Sequence, residues 1–513
     1  MNDDEWIVQM RALIKARLCA HLAQLSVREM ASLDRIEALV RVLLAALATA
    51  AFEAWSEVLT KLVLDIAVTC PGCDHARKCK LRASDPIRAR VLGLTIEIAK
   101  PYLECGHREC EAPGVSISAL LTGLTTGTAS SELRLRAGYA GSQHSYGKAS
   151  RDLEVHYGET VERTAVRRMA LEVEERAKDF AERSRKKALA QVEQEERRPG
   201  VPVLMLQGDG GVIRTGTLVP CVRGDPGFGK LTAKRQKKPR RKRPVQFREM
   251  ILFDVRKPGE SEASALDIMV PIHAEKGERE RRMLALAVRN GLGDDTEVVG
   301  LGDMGSALPA AFAEAFVGHP KSRWYGDWHH VCDYVIKAGD VLRGLDVELW
   351  RKRTRDALWE RNERERDRLL RRAQKHRVDK LPAHMEKCPV AALKTYLINN
   401  WDHLRSAELK ARGLEYVSAR AEAQVRVRIH GRYAVPGSWL SENLEGKATL
   451  RAIIDEGRWS EFRADYLQRA AQTFEERLAA RLAAALADGR LSRDQIAALG
   501  ARAPDQTTAR KAA

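Results

Sequence analysis

Apolar residues recur at helical spacing through the first 66 positions, as in LIKARLCAHLAQL and IEALVRVLLAALATAAFEAW, and predict a helical lead-in. The pattern breaks at Cys70. From there to about Pro113 a strand-like segment, RVLGLTIEIAKPYLEC, is flanked by cysteines, which marks a small cysteine-rich module over 67–113. Helical periodicity returns over 114–195, where SQHSYGKASRDLEVHYGETVERTAVRRMALEVEERA splits into short helices at a glycine-containing turn, the layout of a helix-turn-helix. PGVPVLMLQGDGGVIRTG then reads as a buried strand entering a turn. Strands at REMILFDVRK and ALDIMVPIHAE, a helix and a fourth strand, EVVGLGD, follow, so 196–340 is expected to be mixed α/β.

Beyond Asp327 the chain is charged and helical up to about residue 412, and a further helix follows the Val-Pro-Gly-Ser turn at 435–438. An all-helical insertion over 341–430, with the α/β domain resuming over 431–500, is the simplest description. The tail 501–513 lacks apolar residues and is expected to be disordered. The fold class expected is therefore multidomain α+β.

Composition narrows the function. The chain has 513 residues, 44% of them hydrophobic, and 87 Lys and Arg against 70 Asp and Glu, a net charge of +17. Such an excess suits a polyanion, with nucleic acid ahead of an acidic membrane surface. No run reaches the 18 apolar residues of a membrane span and the first residues, MNDDEWIVQM, are acidic, so a cytoplasmic protein is expected. No site for a small-molecule cofactor is suggested.

Five of the nine cysteines fall between positions 70 and 110. Cys70-Pro-Gly-Cys73 and Cys105-Gly-His-Arg-Glu-Cys110 form two knuckles, and tight glycine-containing turns let two ligands point at one ion, so a structural Zn2+ is expected. His75, Cys79 and His107 are further candidates for the fourth ligand. The alternative is a set of buried, reduced thiols in a hairpin.

Two aspartates stand in similar settings. Asp209 follows an apolar strand and precedes two glycines, and Asp303 ends EVVGLG and precedes a helix. Glycines around a carboxylate let a metal and a phosphate approach the backbone, although Gly-Asp-Gly is also an ordinary turn. Glu442 and Glu445, three apart at the start of a helix, offer a third carboxylate. Two aspartates and a glutamate are the hard ligands that two-metal phosphoryl transfer on DNA requires, with Mg2+ or Mn2+ as the ion.

The blocks QGDGG at 207–211, GLGDMGS at 300–306, YGDWHHVCDYV at 325–335 and VPGSWLSENLEG at 435–446 resemble those of bacterial insertion-sequence DDE transposases of the Mutator-like group, over roughly residues 68–460. The resemblance implies an RNase H-like catalytic core with an all-helical insertion before the glutamate and a zinc ribbon in front. It also implies a metal-binding triad of Asp209, Asp303 and Glu442. Glu442 stands five residues after Gly437, as the family's Gly-Ser-Gly-x-x-Glu block requires, with Trp439 replacing the second glycine. Asp327 and His330 match an Asp-x-x-His element and, with Glu445, are accessory candidates. Double-stranded DNA as substrate and a homo-oligomer bridging two ends are further implications. Two other readings are a non-catalytic DNA-binding protein, either a regulator or a domesticated transposase, and a resolvase-type nuclease.

Residues 230–248 hold ten Lys or Arg and no acid. Lys234, Arg235, Lys237, Lys238, Arg240, Arg241, Lys242 and Arg243 are expected to contact the DNA backbone, the alternative being a solvated loop.

Overall fold

Apolar and polar residues alternate along Ile87–Val91 (β2) and Leu94–Ile98 (β3), and this makes a hairpin with one buried face: Ile87 opposes Ile98 and Ala89 opposes Ile96, all four buried. In the computed structural model of the chain, the described residues are 47–57, most of 70–193 and most of 199–498, with a few helical positions before residue 20. Residues 58–69, 221–240, 379–387, 434–438 and 499–513 lie outside them, and with these most of the expected lead-in, the basic loop, the Val-Pro-Gly-Ser turn and the tail. The chain divides into two units, Met1–Glu172 with Arg463–Ala513, and Val173–Phe462.

In the first unit the cysteine module is two small sheets where the sequence suggested one strand. Arg77–Lys80 (β1) pairs antiparallel with Tyr102–Cys105 (β4), and β2 also pairs in parallel with Thr128–Ala129 (β5). Three helices follow, Ser131–Gln143 (α1), Tyr146–Tyr157 (α2) and Arg163–Val192 (α3), the last belonging to the first unit only up to Glu172, as the periodicity predicts. The hydroxyls of Ser130 and Ser145 cap α1 and α2 by accepting from the Leu133 and Lys148 amides, each cap contributing about 1 kcal/mol. Gly158 ends α2 at φ 69°, a left-handed conformation that glycine adopts without steric cost. Leu133, Ala137, Leu153, Val161, Val166 and Met169 share one core beneath the three helices.

The second unit is built on Val203–Gly216 (β6), a strand of 14 residues. Val245–Arg256 (β7) pairs antiparallel with it along twelve rungs, and Ala265–Met269 (β8) pairs antiparallel with β7. On the other side Glu297–Gly302 (β9) and Ser322–Gly326 (β10) are parallel, so the order is β8-β7-β6-β9-β10. The turn expected at Gly-Asp-Gly-Gly is absent, because β7 holds the strand in register through Asp209 and on to Gly216. β10 escaped the sequence reading because SRWYG is short and lacks alternation.

Helices Glu278–Arg289 (α4) and Leu308–Ala315 (α5) cover one face of this sheet, over Leu204, Leu206, Phe253 and Val298. From Trp328 to Tyr433 the described residues are almost entirely helical: Trp328–Asp340 (α6), Val347–Trp359 (α7), Glu363–His376 (α8), Pro389–Asn400 (α9), Ser406–Ala411 (α10) and Ala419–Gln424 (α11), which runs on into a π turn, Val425–His430. α6 to α9 have their own core around Val331, Trp350, Leu369 and Leu393. The helical segment thus starts at Trp328, as expected beyond Asp327, with 341, the bound given to the insertion, falling just after α6, and α11 returns to the sheet within it. Val425 and Ile429 pack with Ile213, Leu252 and Ile268 on the second face. A short strand, Trp439–Leu440 (β11), pairs with the end of β6, and Leu444–Asp455 (α12) covers the same face.

Candidate active site and metal centre

The two knuckles bring four thiols together. Cys70 Sγ lies 3.5 Å from Cys110 Sγ and Cys73 Sγ lies 3.5 Å from Cys105 Sγ, with all four sulfurs within 4.8 Å of one another. A tetrahedron with metal–sulfur bonds of about 2.3 Å has edges of about 3.8 Å, so the set fits one ion. The Gly72 and His107 amides donate to Cys70 Sγ and Cys105 Sγ at 3.4 Å, which favours thiolate. These are the four cysteines expected, and the fourth position is a thiol. His107 is outside the group. His75 and the Cys79 side chain lie outside the described residues.

The two aspartates meet in the second unit. Gln207 of β6 faces Leu301 of β9, and each aspartate follows two residues later, so parallel pairing brings both to one level of the sheet. Gly208 and Gly302 permit this closeness: a Cβ on Gly302 would lie 3.1 Å from the Gly208 carbonyl oxygen and 2.9 Å from Trp324, and one on Gly208 would lie 3.0 Å from Leu308. Asp209 and Asp303 line a cleft of about 250 Å³ with Glu249, Arg279 and His330. Burial pushes the Asp209 carboxyl above the usual carboxylate range; the Gly210 amide, donating at 2.7 Å, and His330 pull it back, while Asp303 and Asp327 add to the rise. The Asp303 carboxylate accepts from the Gly305 amide at 2.9 Å.

Asp327 is fully buried and serves as a latch. One carboxylate oxygen caps α6 at the His329 amide, 2.6 Å away, and the other accepts from the amide of Ser418, at 2.8 Å, and from its hydroxyl. This ties the start of α6 to the start of α11. His330 and Glu422 are thereby set side by side, His330 Nε2 3.7 Å from a Glu422 carboxylate oxygen. Asp327, His330 and Glu422 form the second group with metal-ligand spacing among the described residues. Both Asp327 oxygens already accept protein donors, which makes its part structural.

Glu442 and Glu445 do not line the cleft. Glu445 accepts from the Val270 amide at 2.9 Å and from the buried Arg282, which also meets Asp267 at 3.3 Å, so it fastens α12 to the sheet. Glu442 sits in the 3-10 turn Ser441–Asn443 before α12, exposed and in no ion pair among the described residues.

Of the basic loop, Arg241 and Lys242 form a short backbone ladder with Val219–Pro220. Lys234, Arg235, Lys237, Lys238, Arg240 and Arg243 lie outside the described residues. Glu249, Arg279 and Glu422 went unnoticed in the sequence. Glu249 and Glu422 lie in segments with no glycine flanks or motif spacing, and Arg279 is one of several charges in ERERR.

No helix among the described residues is long and apolar enough to cross a membrane. No protein-family model matches the chain, and comparison with curated proteins finds no match.

Proposed function

We propose that the protein is a DNA transposase that binds the ends of a mobile element and cleaves and joins DNA strands through a divalent-metal site at Asp209 and Asp303. The observation that carries this reading is the register: two carboxylates on adjacent parallel strands, two residues past one rung, opening into a polar cleft. The order β8-β7-β6-β9-β10, three antiparallel strands and then two parallel ones with the aspartates at its centre, supports an RNase H-like core, and the helical segment after β10 supports the insertion. Divalent ions, when bound, would supply activation of the attacking oxygen and stabilisation of the leaving one.

The residues of the chain account for the rest. Asp209 and Asp303 offer hard oxygens, with Glu442 as the third carboxylate implied by the resemblance; Glu445 is committed to Arg282. Arg279, whose Nε is buried with no hydrogen-bond partner, offers a donor to a phosphate oxygen. His330, held beside Glu422, is placed to exchange a proton at the cleft. The displacement is in line at phosphorus: water attacks first and the 3′ oxygen leaves, taking up a proton, then the freed 3′ hydroxyl attacks a phosphorus of a second strand, loses its proton and displaces that strand's own 3′ oxygen. The four-thiol group, read as a Zn2+ ribbon, and the three helices α1 to α3 bind DNA, and the basic loop adds backbone contacts. Two copies or more bridge the element's ends.

Magnesium-dependent cleavage of a plasmid carrying the chain's coding region and flanking DNA tests the reading. Wild type is expected to cut and to give strand-transfer products, and Asp303→Asn to lose both while still binding DNA. Cutting by the mutant at the wild-type rate removes the assignment. Cleavage confined to branched DNA would indicate a resolvase-type nuclease. One observation favours a second reading, a non-catalytic DNA-binding protein: neither Glu442 nor Glu445 lines the cleft. No cutting by wild type would support it.

A further inference from the structure

We infer that the first turns of α3 read DNA sequence in the major groove, with Arg163, Thr164, Arg167 and Arg168 as the reading residues. This rests on DNA being the partner and is independent of whether the protein cuts it.

Three features of the first unit carry the inference. The first is shape. α2 and α3 are joined by residues 158–162, which begin with the left-handed Gly158 and are closed by the Gly158 amide donating to the Glu154 carbonyl and the Glu159 amide to the Leu153 carbonyl. The Ser150 hydroxyl of α2 donates to the Val161 carbonyl at the entrance to α3, fixing one helix against the other. A helix-turn-helix of this kind presents the start of its second helix to the groove while the first crosses the backbone.

The second feature is which face is left over. Val166, Met169 and Ala170 are buried, whereas Arg163, Thr164, Arg167 and Arg168 are all exposed. Positions 163 and 167, and 164 and 168, are one turn apart, so the four side chains form two adjacent rows on the solvent side of α3.

The third is charge. Other basic residues on α1 and further along α3 are paired: Arg134 with Glu172, Arg136 with Glu132, Arg176 with Asp179 and Lys178 with Glu175. Arg163, Arg167 and Arg168 take part in no salt bridge among the described residues, and Arg134 neutralises Glu172 at the far end of the same stretch. Glu162, the remaining acid beside them, has the Thr164 hydroxyl 3.4 Å away. On α2, Lys148 and Arg151 are likewise exposed and in no salt bridge. A row of unpaired guanidinium forks matches the two acceptors of guanine in the major groove, and the lysine and arginine of the preceding helix match phosphates. A membrane surface or an acidic peptide would be met by charge alone and needs no such placement.

The experiment is selection of bound duplexes from a library of random 20-base-pair sequences by the full-length protein. Wild type is expected to enrich one motif. Arg163→Ala/Arg167→Ala/Arg168→Ala, with a circular dichroism spectrum like wild type, is expected to lose that enrichment while affinity for one fixed, unselected duplex falls by no more than about tenfold, since phosphate contacts carry no sequence information. Arg167→Lys keeps the charge and loses the fork, and is expected to shift the preferred base at one position. The inference is overturned if wild type enriches no motif, or if a folded triple variant or Arg167→Lys enriches the motif unchanged. Cleavage of the enriched duplex is scored separately, so that failure to cut bears on the catalytic reading alone.

Discussion

Glu445 and Glu442 stand one helical turn apart, and the structure uses them in opposite ways. The first is bound to the buried guanidinium of Arg282 and to the Val270 amide, whereas the second is exposed and unpaired among the described residues. Removing Glu445 takes one of three carboxylates from the buried Arg282, which keeps Asp267 and Glu278, so Glu445→Gln is expected to cost about 2 kcal/mol. Glu442→Gln is expected to change stability by less than about 0.5 kcal/mol. Urea titration of both variants checks the contrast, and equal destabilisation would refute it.

The same contrast bears on catalysis. With Glu442 as the third ligand, Glu442→Gln lowers cleavage by more than about 100-fold, while Glu422→Gln, which removes only the neighbour of His330, lowers it by about tenfold. The reverse order, read from cleavage rates of the two variants, would assign the third carboxylate to Glu422.

Asp209 makes stability depend on pH. Its pKa is raised in the folded state by burial first, so the folded chain holds the proton more tightly than the unfolded chain. Stability from this group is full at acid pH and is lost as pH rises from the ordinary carboxylate range through the raised folded value. Asp209→Asn is therefore expected to raise Tm on the order of 2 °C at pH 7, with the gain vanishing below about pH 4. A lower Tm at pH 7 would mean that burial does not dominate at this carboxyl.

The thiol group predicts about one zinc per chain in purified protein. Cys70→Ser and chelation are each expected to release it and to loosen the β1–β4 pairing, read as faster amide exchange in Tyr102–Cys105. Zinc retained at the wild-type level after Cys70→Ser would show that the four sulfurs do not hold it.

Much of the second unit was legible in the sequence because its strands are continuous apolar runs bounded by charge, and the glycine-flanked aspartates stood out against them. What escaped has physical causes. The pairing of β6 with β7 through Asp209 is a long-range interaction that overrides the turn preference of Gly-Asp-Gly-Gly. Glu249 and Arg279 reach the cleft only because the β6–β7 register and the packing of α4 carry them there, and neither leaves a local mark. Glu422 depends on the Asp327–Ser418 latch, a contact between residues far apart in the chain. The cysteine cluster was readable from spacing alone, since a four-thiol site needs little beyond two knuckles.

The uninterrupted run of β6 gives the two aspartates unequal freedom. Asp209 rides on a backbone paired with β7 at every rung from Met205 to Gly216, whereas Asp303 lies one residue past the end of β9, in a loop. One is an anvil and the other a spring. If the site works as proposed, it keeps one fixed point on a bound strand while its second contact yields, so that a shift from cutting to joining would not disturb the sheet.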